Sequence, residues 1–445
     1  MKLKPLYTVL LVFMMVSCYK ETYIPVVIEF DVVAAGANYT MPVRVTPDNR
    51  TTGADYYQWT FEGGVPATSN QKQPGEITYN KAGIYTIRLE AWNDGAREEK
   101  EYTFTVFPSL LVDFGVEIPI NNFAPAELKL TNTGSEAESY LWQFEGAETE
   151  TSTDREPQGI IYLNEGTYTI TLNAFNGFET FSISKTIEVQ PALDVDFEII
   201  PSFEDEDYES PFTASLQNQT ISGINYVWSC AGGAIQNVNS ENTEINISQS
   251  GTYNITLQAE NGKETKTATK ELIVKPNSNI YKVNDVKFGV KQAENTLGCY
   301  FSLAKRTTYK SNEVYSADEP FINLVFYSAD VNLQFCKFIS PTDANNFDFY
   351  RMPAATATYF INNLAETNIE FSAVDFDNMA NDSPLYNLNI KTKANATWFS
   401  TTVLPYIILF ETADGRKGAI KVKQAISAGE QSYILTDIKY QKESN

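Results

Sequence analysis

Trp59-Thr60-Phe61-Glu62-Gly63-Gly64, followed by Gly83-Ile84-Tyr85-Thr86-Ile87 and Asn93-Asp94-Gly95, is the stretch on which the fold turns. A tryptophan strand runs into a glycine turn, a second run alternates through Leu89 as one buried face, and Asn-Asp-Gly supplies the positive-φ residues of a tight hairpin. The same order recurs as Trp142-Gln143-Phe144-Glu145-Gly146, Gly166-Thr167-Tyr168-Thr169-Ile170 and Asn176-Gly177. It recurs again as Trp228-Ser229-Cys230-Ala231-Gly232-Gly233, Gly251-Thr252-Tyr253-Asn254-Ile255 and Asn261-Gly262. The tryptophans lie 83 and 86 residues apart, and the glycines that open Gly-x-Tyr lie 83 and 85 apart. A fixed period of this kind marks serial copies of one unit. Each copy opens on an alternating strand ending in Phe30, Phe114 or Phe197 and closes at Val106, Val189 or Val274, with Pro108, Pro191 or Pro276 just beyond.

The expected architecture is all-β, with three β-sandwiches in series at 26–107, 108–190 and 191–275. Over about residues 26–275 the motifs resemble the PKD domain, an immunoglobulin-like sandwich marked by Trp-Asp-Phe-Gly-Asp-Gly and then Gly-Thr-Tyr-x-Val. The departures fall in the acidic turn: Thr60, Gln143 and Ser229 stand where that family has Asp, and Gly-Asp-Gly is reduced to Glu-Gly or Ala-Gly. The resemblance gives Trp59, Trp142 and Trp228 a core role and makes Tyr85, Tyr168 and Tyr253 tyrosine-corner hydroxyls. Three sandwiches of ~35–40 Å joined by short Pro-containing segments form a semi-rigid stalk of roughly 100 Å.

Outward from the repeats, charge separates two surfaces. The 445 residues carry 33 Lys and Arg against 56 Asp and Glu, net −23. Residues 1–278 hold 17 basic and 38 acidic residues, whereas 279–445 hold 16 and 18. No basic footprint for nucleic acid exists. The sequence contains no histidine, which excludes Ser-His-Asp and Cys-His catalysis, histidine zinc sites and histidine-ligated haem in this chain. At the start, Lys2 and Lys4 precede the apolar run 6–16, which ends in Met15-Val16-Ser17-Cys18. The run has signal-peptide proportions and is too short to span a membrane, which takes ~20 residues. Ser17-Cys18 resembles the lipobox of bacterial lipoproteins, which implies a signal peptide at 1–17, an acylated Cys18 and a tether at 18–25. Acyl chains on one Cys attach a protein to a membrane at ~0.8 kcal/mol per buried CH₂.

From Asn279 the period stops. Strand-like runs at 283–290, 298–303, 321–327, 334–339, 406–411, 419–424 and 433–441, with a short helix at 371–379, predict a larger sandwich-like domain over 279–445. Its aromatic residues in polar surroundings, Tyr309, Tyr315, Tyr350 beside Arg351, and Trp398 beside Phe399, are the candidates for stacking on sugar rings while neighbouring polar groups bond the hydroxyls. Trp398 is the first of these. Asp375, Asp377, Asn378 and Asp382 gather oxygen ligands suited to Ca²⁺ but lack EF-hand spacing, and a solvated acidic turn is the expected reading. Glu204-Asp205-Glu206-Asp207 is expected to be a solvated loop. Cys299 and Cys336 read as buried free thiols, with a disulfide allowed beyond the cytoplasm, and Cys230 as a core residue. No carboxylate pair for glycoside hydrolysis stands out, so no enzyme and no cofactor are expected.

The arrangement of lipobox, serial sandwiches and an aromatic end module resembles the multi-domain surface glycan-binding lipoproteins of Gram-negative polysaccharide-utilisation systems. The resemblance implies a non-catalytic lipoprotein, lipid-anchored in the outer membrane at the cell surface, whose end domain binds a polysaccharide or oligosaccharide. An outer-membrane transporter or neighbouring surface proteins are the implied partners. The rival reading is an adhesion or scaffold protein that uses the sandwiches for protein contacts.

Overall fold

A computed structural model describes residues 24–444. The leader and Cys18 lie outside the described residues. Among the described residues, no helix is long and apolar enough to cross a membrane.

Four β-sandwiches follow one another. In the first, Phe30–Ala34, Val43–Asn49 and Ile77–Tyr79 form one sheet, and Thr68–Ser69, Tyr56–Phe61, Gly83–Trp92 and Arg97–Val106 form the other, each in that order. Residues of Val43–Asn49 alternate strictly between buried and exposed, the period-2 signature of a strand with one face on a core. The second sandwich repeats this topology. The third departs at one strand: Ala234–Ile235 pairs with Thr243–Ile247, whereas its counterparts Thr68–Ser69 and Thr151–Ser152 pair with the tryptophan strand.

The tryptophans are core. Trp59, Trp142 and Trp228 are at most 1% exposed, and each meets the opening phenylalanine edge-on at 5.0 Å. Burial of one indole contributes about 5 kcal/mol at most. The ring N–H would cancel part of that if left unpaired. Instead it donates to the carbonyl twelve residues on, that of Gln71, Asp154 or Ser240, at 3.0, 2.9 and 2.9 Å. The tyrosine corners repeat as closely: Tyr85, Tyr168 and Tyr253 donate to the carbonyls of Lys81, Asn164 and Gln249 at 2.9, 3.0 and 2.8 Å.

The hairpins that close the Gly-x-Tyr strands also make the junctions. Phe178, just after Asn176-Gly177, stacks on Phe107 at 5.2 Å and meets Tyr39 at 5.6 Å. Lys263, just after Asn261-Gly262, donates to the carbonyls of Phe123 and Pro125, while Asn121 Nδ2 donates to the carbonyl of Asn261 at 2.7 Å. Each hairpin thus grips the sandwich before it.

The run Glu204 to Asp207 is only in part the solvated loop expected from its charge: Glu204 and Glu206 stay more than half exposed. It turns through a 3₁₀ segment, Phe203–Asp205, and docks on the fourth sandwich. Arg306, 13% exposed, lies 3.8 Å from both Glu204 and Glu206 and stacks over the rings of Phe203 and Tyr281 at 3.8 and 4.7 Å. Lys442 pairs with Asp207 at 2.7 Å and Glu209 at 2.9 Å. Four carboxylates that would repel one another in isolation are held by two cations from the next domain.

That last sandwich stacks Ile280–Gly289, Tyr433–Gln441, Lys417–Ile426, Tyr406–Thr412 and Thr358–Ile361 against Thr307–Tyr309, Tyr300–Ser302, Ile322–Ser328 and Cys336–Ile339. Phe288, Phe301, Phe326, Phe338, Phe360 and Phe410 fill the space between the sheets. The outer faces are covered too. Phe371, Phe376, Met379, Leu385 and Ile390, from a segment containing the short helix Ala373–Asn378, pack on Ile407 and Leu409. Phe349, Met352 and Val314, from the loops, pack on Tyr300 and Val325. Among the described residues the α-helical turns, Ala373–Asn378 and Ile390–Lys393, belong to one of these covering layers. Cys230, Cys299 and Cys336 are free thiols; burial pushes the Cys336 thiol up to about 12. Cys230 is half-buried at the edge of its core.

Candidate functional site

Cys336–Ile339 and Thr358–Ile361 are edge strands of the two sheets, and a cleft of about 460 Å³ opens along the seam between them. Lys337, Ser340, Asp343, Asn346, Thr358 and Asn395 contribute to its lining. Its size lies within the usual range for small-ligand sites, ~300–1,000 Å³. Asn362, 1% exposed, ties the seam together. Its Oδ1 accepts the Phe338 N–H at 2.7 Å and its Nδ2 donates to the Phe338 carbonyl at 3.0 Å, so one amide side chain stands in for a neighbouring strand.

Further along, Cys336 and Phe399 exchange both backbone hydrogen bonds at 2.9 Å. Antiparallel pairing then sets Lys337 opposite Trp398, while Lys337 faces Tyr327 across the other ladder. The three side chains form a row on the outer face. The Lys337 ammonium stands 4.2 Å from the Trp398 ring and 4.3 Å from the Phe347 ring, and Tyr327 touches Phe347 at 4.9 Å and Trp398 at 5.8 Å. Lys337 is 6% exposed, and this burial lowers its pKa from the ordinary lysine value. Among the described residues no carboxylate lies within 4 Å of it. Thr358 Oγ1, buried in the lining, likewise has no hydrogen-bond partner among the described residues.

The other aromatic candidates are dispersed. Phe399 is 2% exposed, in the core and stacked on Tyr406 at 5.0 Å; it presents no face to a ligand, because the backbone pairing that turns Trp398 outward turns its neighbour inward. Tyr309 lies on a strand rather than between strands, half-buried against the loop layer. Tyr315 is exposed. Tyr350 donates through its hydroxyl to Glu319 Oε1 at 3.0 Å, a carboxylate that is itself buried and also accepts the Ala354 N–H. Arg351 is exposed beside it. Trp398 keeps 37% exposure at the end of its row.

The acidic candidates do not converge on a cation. Asp375 closes the capping box of the Ala373–Asn378 helix with Ser372, which holds its carboxyl below the ordinary carboxylate pKa. Asp377 pairs with Lys421 at 2.6 Å. Asn378 is exposed, and Asp382 is buried, accepting from Asn279, Tyr386 and Gln441. Among the described residues no group of three or more acidic or thiol side chains is placed to hold a metal.

Residues 24–106 match the family model of the PKD domain. The second and third sandwiches reproduce the first's tryptophan and tyrosine hydrogen bonds, so the chain carries tandem immunoglobulin-like sandwiches. The I-band fragment I67–I69 from titin aligns with 57% of this chain and 100% of its own at 16% identity, TM-score 0.32. Three N-terminal domains of the bacteriophage RB49 highly immunogenic outer capsid protein align over 57% and 99% at 14% identity, TM-score 0.25. Extracellular cadherin domains 1–4 of protocadherin gamma B7 align over 52% and 71% at 13% identity, TM-score 0.22. No curated protein matches the chain.

Lys337, Tyr327, Phe347 and Thr358 escaped the reading of the sequence. One signal was present: a lysine inside Phe335-Cys336-Lys337-Phe338-Ile339, where every neighbour is apolar, is a charge the fold must account for.

Proposed function

We propose that the chain is a non-catalytic cell-surface lipoprotein, held in the outer membrane through acylated Cys18, whose tandem sandwiches form a stalk and whose last sandwich binds a polysaccharide. The observation that carries this reading is the seam cleft with Trp398 beside it. An aromatic ring with exposed surface next to a polar-lined cleft is the arrangement that stacks on the C–H face of a sugar while side chains and backbone bond its hydroxyls. The gripping hairpins and the acidic turn that clamps the fourth sandwich suit a stalk that holds its end domain in one orientation. A transporter or other surface proteins would be its neighbours.

The test is affinity electrophoresis of the full mature chain through gels containing individual polysaccharides. Retardation by at least one of them, lost in Trp398→Ala and partly kept in Trp398→Phe, is the expected result. If no polysaccharide retards the wild-type chain, the glycan reading falls and adhesion through protein contacts of the sandwiches takes its place. Cys18→Ser is expected to release the chain from the membrane fraction.

A further inference from the structure

Resting on the glycan-binding reading of the seam cleft, we infer that its ligand is an acidic polysaccharide, one whose rings bear carboxylate or sulfate groups, and that Lys337 receives an anionic oxygen. Two observations carry this. Lys337 is 6% exposed yet forms no ion pair among the described residues, whereas the lysines and arginines that do pair with acids there, from Arg44 to Lys442, are all more exposed than it is. A buried cation without an acid is costly, and folds tolerate it chiefly where something else uses it. Its ammonium is oriented by two ring faces, Phe347 at 4.3 Å and Trp398 at 4.2 Å; these offset part of the desolvation but leave its hydrogen-bond donors unassigned. Lys337 lines the cleft, so its ammonium can give a charged hydrogen bond to an anionic oxygen seated there. Asp343, the carboxylate in the lining, is exposed and makes no ion pair with Lys337.

The surroundings suit such a ligand. Residues 279–445 carry 16 basic and 18 acidic residues, so the end domain imposes little general repulsion on a polyanion, whereas the strongly acidic stalk repels it. Retention of a polyanion by the full chain therefore has to come from a local site rather than from a diffuse basic surface.

The experiment uses the full mature chain in affinity gels with four acidic polysaccharides (polygalacturonate, alginate, hyaluronate, chondroitin sulfate) and four neutral ones (dextran, mannan, xylan, amylopectin). The carboxyl-reduced or desulfated form of whichever acidic one binds is included. Retardation by an acidic polysaccharide, abolished by that conversion and weakened on the order of ten- to a hundredfold in Lys337→Met, is expected from loss of one charged hydrogen bond. Lys337→Arg should retain part of it. Lys337→Met keeps the stem that packs on Trp398 and removes the buried charge, so its folded state should be as stable as wild type or more so; a purely structural lysine would instead lose stability. Trp398-dependent binding confined to neutral polysaccharides, or acidic binding indifferent to Lys337→Met, overturns the inference and leaves the glycan reading standing. No binding to any of the eight overturns both.

Discussion

Alanine in place of the turn glycine of each tandem sandwich is expected to destabilise Gly63 most, Gly146 next and Gly232 least. All three glycines sit at positive φ, +68°, +82° and +84°, where alanine costs about 1–2 kcal/mol relative to glycine. That cost is common to the series. What differs is the tyrosine-corner ring lying over the turn. A Cβ at Gly146 would stand 2.7 Å from Cε1 of Tyr168, one at Gly232 would stand 3.2 Å from Cε1 of Tyr253, and one at Gly63 would be closer to Tyr85 than either. The rings are not free to swing away. Their hydroxyls are donated to carbonyls four residues upstream, and the first two also pack on Tyr79 and Tyr162 at 4.8 and 4.3 Å. Overpacking against such a ring costs ~1–3 kcal/mol, which puts Gly63→Ala at about 2–5 kcal/mol and Gly232→Ala at about 1–2 kcal/mol. A chain with four cores does not unfold as one two-state unit. The assay is therefore native-state hydrogen exchange on peptides from each tryptophan strand, read by mass spectrometry, which reports opening free energy locally. Equal losses at the three sites, or a larger loss at Gly232 than at Gly63, would refute the claim that the ring enforces the glycine beyond what backbone conformation demands. Adding Tyr85→Ala to Gly63→Ala should recover about 1 kcal/mol or more of the coupling.

Arg306→Ala removes two ion pairs and two ring contacts at the last junction and should raise hydrogen exchange across residues 203–209 about tenfold or more while leaving the first two sandwiches unchanged. Unaltered exchange there would mean the clamp is incidental. A buried thiol raised to about 12 keeps its proton in the folded state after the unfolded chain, with an ordinary value near 9.0, has lost it. The unfolded state then binds fewer protons, so stability is full below pH 9 and falls as pH rises from there toward 12, by up to about 4 kcal/mol. Urea unfolding of the last sandwich at pH 8 and pH 10.5 should show about half that loss from Cys336, with the Cys299 thiol, also pushed up by burial, adding to it; Cys336→Ala should make the slope shallower and Cys299→Ala with Cys336→Ala should remove most of it. The same burial means that a thiol reagent at neutral pH should label Cys230 long before Cys299 or Cys336.

The tandem sandwiches were legible because each strand there buries one face. Alternation survives in Val43–Asn49 and its counterparts, and the hydrogen bonds that hold Trp59 and Tyr85 span twelve and four residues, short enough to recur at a fixed offset in every copy. In the last sandwich most strands were found but their partners were not. Ile322–Ser328 and Cys336–Ile339 are buried on both faces, which erases the period-2 signal that would have shown which side met the core. The strands Thr307–Tyr309 and Thr358–Ile361 were missed because their flanks, Lys305-Arg306 and Lys310 for the first and the Ala/Thr run 354–358 for the second, break up any apolar run around them. Charge was misread for a related reason. The run Glu204 to Asp207 reads as a wholly solvated loop in one dimension, because Arg306 and Lys442, which pair with part of it, come from a different domain. Whether a charged group faces water is settled by the counter-charge that tertiary structure delivers, and that delivery has no local signature. Applied to Lys337 the argument runs the other way: here the chain buries a cation and brings it two aromatic rings but no acid. On the inference drawn above, the missing partner is an anion from outside the chain, and loss of acidic-polysaccharide retention in Lys337→Met, rather than in any variant of the more conspicuous tyrosines, is the result that inference requires.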